Sequence, residues 1–271
     1  MMTFVPVRVP RRRLGAGWKP ERASSPSILE GARGLVPAYW TLDWLARMLP
    51  TERVPVRIGS QNSVSMPLGR AIARIRSGPR AYLRSRGSTP YYVADWRIRE
   101  VPRLYRQLRK PFFTARDGLA TLPSSVRPEL LWAYIGGPGT GSPLHQDVLA
   151  THAWMFLIEG CKRWLLYPPE AFEPQEARSH DAFSPEGAAA DRRRGRRPWV
   201  GDLRAGDLMF VPSMWWHQVR NLSPTFAITG NFSDASNAVR VIEECVRTRR
   251  EWMVSHLVGT YELDSHEFAR R

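Results

Sequence analysis

The sequence predicts a mainly β protein: a double-stranded β-helix (jelly-roll barrel) with flanking α-helices at both ends. Three observations predict it. From Glu129 onward, short apolar runs follow one another closely, separated by Gly and Pro turns. Helical apolar spacing occurs before and after that block. A chain of 271 residues can bury such a domain as one large core.

Residues 1–27 are rich in Pro and Arg and read as a basic, poorly ordered arm. Residues 28–128 read as an α+β part. Within the stretch SPSILEGARGLVPAYWTLDWLARMLP the pattern predicts a strand, a turn and a helix. Thr41 or Asp43 can cap that helix, and Trp44, Leu45 and Met48 form its apolar positions. VPVRIG (54–59) suits a strand. MPLGRAIARIRSG (66–78) suits a helix with Leu68, Ile72 and Ile75 on one side and arginines on the other. Short strands and helices alternate from Pro79 to Pro128. Residues 129–234 supply the β core, with strands expected at 130–136, 142–147, 152–160, 162–168, 199–204, 207–212, 216–221 and 225–232. The polar stretch 169–198 interrupts them and reads as a surface loop over the barrel mouth. Residues 235–271 form a C-terminal helical segment, with one helix expected over 235–257. Val239, Ile242, Val246, Met253 and Leu257 make its stripe, which either packs on the barrel or forms a homodimer seam.

Composition narrows the classes. Hydrophobic residues make up 43% of the chain, with 11 Trp, as in a globular domain. No run approaches the roughly 18 apolar residues of a membrane span, and the N-terminus lacks the apolar core of a signal peptide. Cys161 and Cys245 make no disulfide framework, so a reducing, cytoplasmic setting is expected. Basic residues number 37 Arg and three Lys, and the net charge is +15. Preference for Arg over Lys suits a GC-rich genome, but the surplus itself suits an acidic partner, either nucleic acid or an acidic protein surface.

His145 and Asp147 in SPLHQD, followed 70 residues after Asp147 by His217 in MWWHQVRN, form the chemical constellation of the chain. Side chains alternate along a strand, so His145 and Asp147 share a face, and His217 reaches the same interior from a later strand. Two histidines and one carboxylate converging this way form a facial triad for Fe(II). A lone strand histidine is more often a core residue, but the contexts match: a Gly/Ser/Pro turn before the first pair, and GD-x4-P-x4-H before the last. Lys162, Trp164 and Leu166 share one face of KRWLLYP. If that face is the inner one, Lys162 is a buried cation that needs an anion, for which the distal carboxylate of 2-oxoglutarate is suited. Thr229 could add a second hydrogen bond. His152, His180, His256 and His266 read as structural or surface residues, and Asp207 as part of a turn.

The segments GTGSPLHQDVLATHAWMFLIEGCKRWLLYPP and GDLMFVPSMWWHQVRNLSPTFAITGNF resemble the core of the JmjC/cupin-8 family of Fe(II)- and 2-oxoglutarate-dependent oxygenases. Within it they are most similar to the branch of the JmjC lysyl hydroxylase, also described as an arginine demethylase. Lys162 lies 17 positions after His145, as in that branch. THAW…GCKRW resembles the branch's TSAW…GHKRW. SILEGARGLVPAYWTLDWLARMLP and PYYVADW resemble the N-terminal half of cupin-8 proteins, so the resemblance covers roughly residues 26–235. It implies His145, Asp147 and His217 as iron ligands. It implies Lys162 and Thr229 as 2-oxoglutarate contacts, with Ser142 or Thr140 as helpers and Asn231 near the metal. Met155 departs from the pattern, standing where the branch has an asparagine beside the co-substrate. A thioether cannot replace an amide's hydrogen bonds.

The expected function is an Fe(II)/2-oxoglutarate-dependent dioxygenase, a hydroxylase or demethylase acting on a protein or peptide side chain. An RNA-modifying oxygenase is the alternative that the charge favours, with Arg192, Arg193, Arg194, Arg196 and Arg197 in the loop and Arg70, Arg74, Arg76, Arg80 and Arg84 upstream as phosphate contacts. A small-molecule hydroxylase with a closed pocket and a non-catalytic binding cupin complete the set.

Overall fold

The computed structural model describes residues 5–15, 17–59, 62–84 and 91–263, with the side chains of 62 and 78–84 left aside. The chain begins with β1 (Val7–Arg8), β2 (Arg11–Arg13) and β3 (Ser27–Glu30). Helix α1 (Leu42–Met48) follows, started by Thr41, whose hydroxyl accepts from the Trp44 backbone N–H. Next come β4 (Arg53–Ile58), β5 (Asn62–Pro67), α2 (Leu68–Arg84), β6 (Tyr91–Arg97) and the short α3 (Pro102–Tyr105). The expected α1, β4 and α2 form, and Leu68, Ile72 and Ile75 are buried as their spacing requires, whereas Met48, expected among the apolar positions of α1, is exposed.

The core is built from β7 (Leu131–Gly136), β8 (Gly141–His145), β9 (His152–Glu159) and β10 (Cys161–Tyr167), then β11 (Trp199–Arg204), β12 (Leu208–Val211), β13 (Trp216–Asn221) and β14 (Thr225–Phe232). All eight expected strands form. They divide equally between two sheets, β11-β10-β13-β8 on one side and β12-β9-β14-β7 on the other. Gly160, at φ +92°, makes the tight β9–β10 turn; a Cβ there would lie 2.1 Å from the Pro224 carbonyl oxygen. Met155, Leu157, Trp164, Leu166, Met209, Val219 and Ala227 fill the space between the sheets. The second sheet is extended by β6, β4 and β5, and its outer face carries the largest apolar cluster, where Trp154, Phe156, Phe210 and Ile228 meet α1 and α2.

Three expectations are corrected. The N-terminal arm, expected to be poorly ordered, is paired: β1 lies parallel to β11 and β2 parallel to β3, with Val9 buried between them. The open edges of both sheets offer unpaired N–H and C=O groups, and a Pro-containing extended segment can satisfy them at an edge. The 169–198 stretch is not a loop over the mouth. It folds into α4 (Pro174–Ser179) and α5 (Pro185–Arg193), the latter capped by the Ser184 hydroxyl accepting from Gly187 N–H. Its Phe172, Ala177 and Ala182 pack on Leu165, Tyr167 and Trp216, on the outer face of the smaller sheet. Finally, the C-terminal helix is two helices, α6 (Ala238–Arg247) and α7 (Glu251–Thr260). Arg249 adopts φ +55° between them, and the Thr248 hydroxyl donates back to the Glu244 carbonyl. The break lets Val241, Ile242 and Cys245 of one helix and Met253 and Leu257 of the other bury against Leu119, Leu122 and Leu130 of the same chain. Val239, expected in the stripe, is exposed. No helix among the described residues is long and apolar enough to cross a membrane.

Candidate metal centre

His217 and His145 sit opposite one another in the β13–β8 pairing. The register shifts by one residue immediately beyond: Val219 opposes Ser142, so β8 carries one extra residue between Ser142 and His145. This bulge, at Pro143–Leu144, turns both Ser142 and His145 toward the interior although they are three apart. Asp147 follows β8 in extended conformation (φ −70°, ψ 151°) and keeps the face of His145.

The three side chains converge, with one ligand atom from each within 4.8 Å of the others. The His145 and His217 rings lie 4.2 Å apart, and His217 Nε2 is 3.7 Å from Asp147 Oδ2. Each histidine has its other nitrogen spent on backbone: His145 Nδ1 on the Pro143 carbonyl at 2.8 Å, His217 Nδ1 on the Trp215 carbonyl at 3.0 Å. A carbonyl only accepts, so both Nδ1 atoms carry the proton and both Nε2 lone pairs are left for a metal. Burial, and then the neighbouring His145, push His217 down to about 4, which keeps it neutral. Two imidazoles presenting Nε2 and the carboxyl group of Asp147 on one face fit Fe(II).

Lys162 lies deeper on β10, fully buried. Its Nζ donates to Asn221 Oδ1 at 2.8 Å and faces the Tyr92 ring at 5.9 Å. Asn221 Nδ2 donates to Thr140 Oγ1 (2.8 Å), whose own proton goes to the Gly137 carbonyl (2.7 Å). That hydroxyl therefore accepts from Nδ2, which fixes the amide with its oxygen toward Lys162. No carboxylate approaches the ammonium among the described residues, and burial drives it down to about 7. A buried amine with one neutral acceptor is suited to an incoming carboxylate.

The pocket above is lined by Trp132, Tyr134, Met155, Trp164, Val211 and Val219 around the triad, with Ser142, Thr229 and Asn231, and its cavity is about 60 Å³. Ser142, Thr229 and Asn231 thus reach the pocket, as the resemblance implies. Thr229, however, donates its proton to the Trp154 carbonyl (2.7 Å), and Asn231 donates to Thr151 Oγ1 (2.8 Å). Thr140 does not line the pocket; it acts on Lys162 through Asn221. Tyr92, hydrogen-bonded to Ser142 and raised by burial, and Asn221 were not singled out by sequence reasoning. The HQVRN alternation puts Asn221 on His217's face, a signal that could have found it. His152 and His180 are buried in structural roles, holding Ser213 N–H and facing Asp191 respectively, and Asp207 pairs with Arg11. His256 bonds Thr121; His266 lies outside the described residues.

A jelly roll with two histidines and one carboxylate at one end of its interior and a lysine buried beneath defines a facial-triad metal protein of the double-stranded β-helix class. Residues 53–238 match the model of the cupin-like domain, and the chain belongs to that family. It is 29% identical over 254 residues to arginine-specific demethylase JMJ22 of Arabidopsis thaliana, covering 87% of this chain and 47% of that one. It is 31% identical to the bifunctional arginine demethylase and lysyl-hydroxylase psr-1 of Caenorhabditis briggsae, covering 62% and 46%. It is 30% identical to the 2-oxoglutarate and iron-dependent oxygenase JMJD4 of Danio rerio, covering 54% and 37%. The chain spans less than half the length of each of these relatives.

Proposed function

We propose that this chain is an Fe(II)- and 2-oxoglutarate-dependent dioxygenase that hydroxylates a C–H bond of a protein side chain. The observation that carries this reading is the convergent triad His145, Asp147 and His217 above the buried, carboxylate-less Lys162. His145, Asp147 and His217 would hold the iron, and Lys162 the distal carboxylate of 2-oxoglutarate. When bound, the pair supplies oxidative chemistry in which a C–H carbon, O2 and 2-oxoglutarate yield the hydroxylated carbon, succinate and CO2.

The residues of the chain perform the positioning. Pro143 and Trp215 carbonyls hold the imidazole tautomers, Asn221 orients the Lys162 ammonium, and Trp132, Tyr134, Trp164 and Val219 exclude water from the reacting end. The names of the relatives, an arginine-specific demethylase and a bifunctional arginine demethylase and lysyl-hydroxylase, favour an arginine or lysine side chain as the target. Hydroxylation at an N-methyl carbon gives a hemiaminal that releases formaldehyde, so one centre serves hydroxylation and demethylation. Arg192 and Arg193 of the insert, with Arg70 and Arg74, are exposed, but the insert's other arginines are engaged within the chain. Arg194 and Arg196 bind Glu176, Arg197 donates to the Val5 carbonyl, and the insert packs outside the barrel. Arg76 pairs with Asp43, while the side chains of Arg80 and Arg84 lie outside the described residues.

Anaerobic titration with Fe(II) and 2-oxoglutarate tests this. A weak visible charge-transfer band is expected for the wild type, lost in His217→Ala and requiring far more 2-oxoglutarate in Lys162→Ala. A folded, metal-loaded wild type without the band would overturn the reading in favour of a binding protein.

A further inference from the structure

The inner face of β10 presents Lys162, Trp164 and Leu166, opposite Asn221, Val219 and His217 of β13 in that order. Trp164 therefore lies midway between the level of the buried ammonium and the level of the metal ligand. Its ring stacks on His217, with centroids 5.6 Å apart and planes 29° from parallel. The residue is 3% exposed, lines the pocket, and its Nε1 is buried without a hydrogen-bond partner. Among the described residues it is the one pocket-lining side chain with such an orphaned atom. An indole nitrogen can only donate, and native proteins seldom leave a buried donor unpaired.

The surrounding polar groups do not answer it. Neither the Thr229 hydroxyl, the Asn231 side-chain carbonyl nor the Met155 thioether, which line the same pocket, accepts a hydrogen bond from it. A 2-oxo acid reaching from the triad to Lys162 must pass this indole edge. We propose that the Trp164 indole N–H donates a hydrogen bond to a carboxylate oxygen of the bound 2-oxo dicarboxylate, making Trp164 a co-substrate ligand beside Lys162. This rests on the oxygenase reading above.

The test uses Zn(II)-loaded protein, which binds 2-oxoglutarate without turnover, and compares wild type with Trp164→Phe. Phenylalanine keeps the stack on His217 and removes the donor. The dissociation constant for 2-oxoglutarate is expected to rise about tenfold or more, the usual worth of a hydrogen bond to a charged group, with Zn(II) affinity unchanged. In ¹⁵N-indole spectra of the wild type, the one signal missing from Trp164→Phe is expected to move downfield on saturation with 2-oxoglutarate. Unchanged affinity, or a stationary Trp164 signal, overturns the proposal. Should Trp164→Phe not fold, the wild-type spectra still decide, because no indole signal moving on saturation overturns it too. Failure of wild type to bind 2-oxoglutarate at all would sink the oxygenase reading instead.

Discussion

Lys162 is held by geometry that a single atom can disturb. Its side-chain hydrogen-bond acceptor, Asn221, is aimed by Thr140, and Asn221, Thr140 and Tyr92 all crowd against Gly136. A Cβ at residue 136 would lie 2.3 Å from Asn221 Nδ2, so Gly136→Ala is expected to turn the amide away and weaken 2-oxoglutarate binding, with metal affinity intact by calorimetry. The titration of Lys162 gives a second prediction. Burial holds its pKa at about 7, and an anionic partner raises it, so binding above pH 7 takes up a proton. Co-substrate affinity should fall as pH rises through 7, approaching about tenfold per unit, and calorimetry in buffers of different ionisation enthalpy should reveal the uptake. Stability follows the opposite trend: the native state binds fewer protons at this site than the unfolded chain between about 7 and 10.5, so its contribution to stability rises with pH across that window. The triad and Lys162 were legible in the sequence because HxD, a distal His and strand alternation are local patterns. Strand alternation puts Asn221 on the face of His217 and Trp164 on that of Lys162, but their contacts, and the place of Tyr92, come from the β10–β13 register and the position of β6.

Elements with their own side-chain periodicity were the readable ones. The eight core strands and α2 show it directly, whereas the 169–198 insert hides two helices in polar sequence. Its start signal, Ser184-Pro185, was present but is short, and its stability comes from packing against the barrel. A buried knot secures it: Tyr167 donates to Asp191 Oδ2 at 2.6 Å, His180 Nε2 lies 3.3 Å from Asp191 Oδ1, and Arg196 covers the Phe172 ring at 4.0 Å. Asp191→Ala strands these partners and is expected to cost about 3 kcal/mol, measured by urea unfolding. Only indirect loss of metal affinity should follow, since the insert lies behind the sheet. The break between α6 and α7 offers the opposite change. Arg249 occupies left-handed backbone, where a side chain costs roughly 1 kcal/mol, so Arg249→Gly is expected to raise the melting temperature slightly.

At the scale of the molecule, metal and fold are thermodynamically linked. Metal at about a hundred times its dissociation constant should stabilise the native state by roughly 2.7 kcal/mol. Calorimetric scans should show a rise of several degrees that EDTA reverses and His217→Ala lacks. The N-terminal arm escaped sequence reading because it joins through backbone groups, which leave no mark in residue type. Its path has a mechanical corollary. Within a few residues the chain pairs with β11 in one sheet and β3 in the other, so it pins the two leaves together along one border. Strand β8, bearing His145, is the opposite border of its leaf. Any breathing of the sandwich therefore pivots about the pin, and the longest lever arm belongs to the strand that carries the first metal ligand.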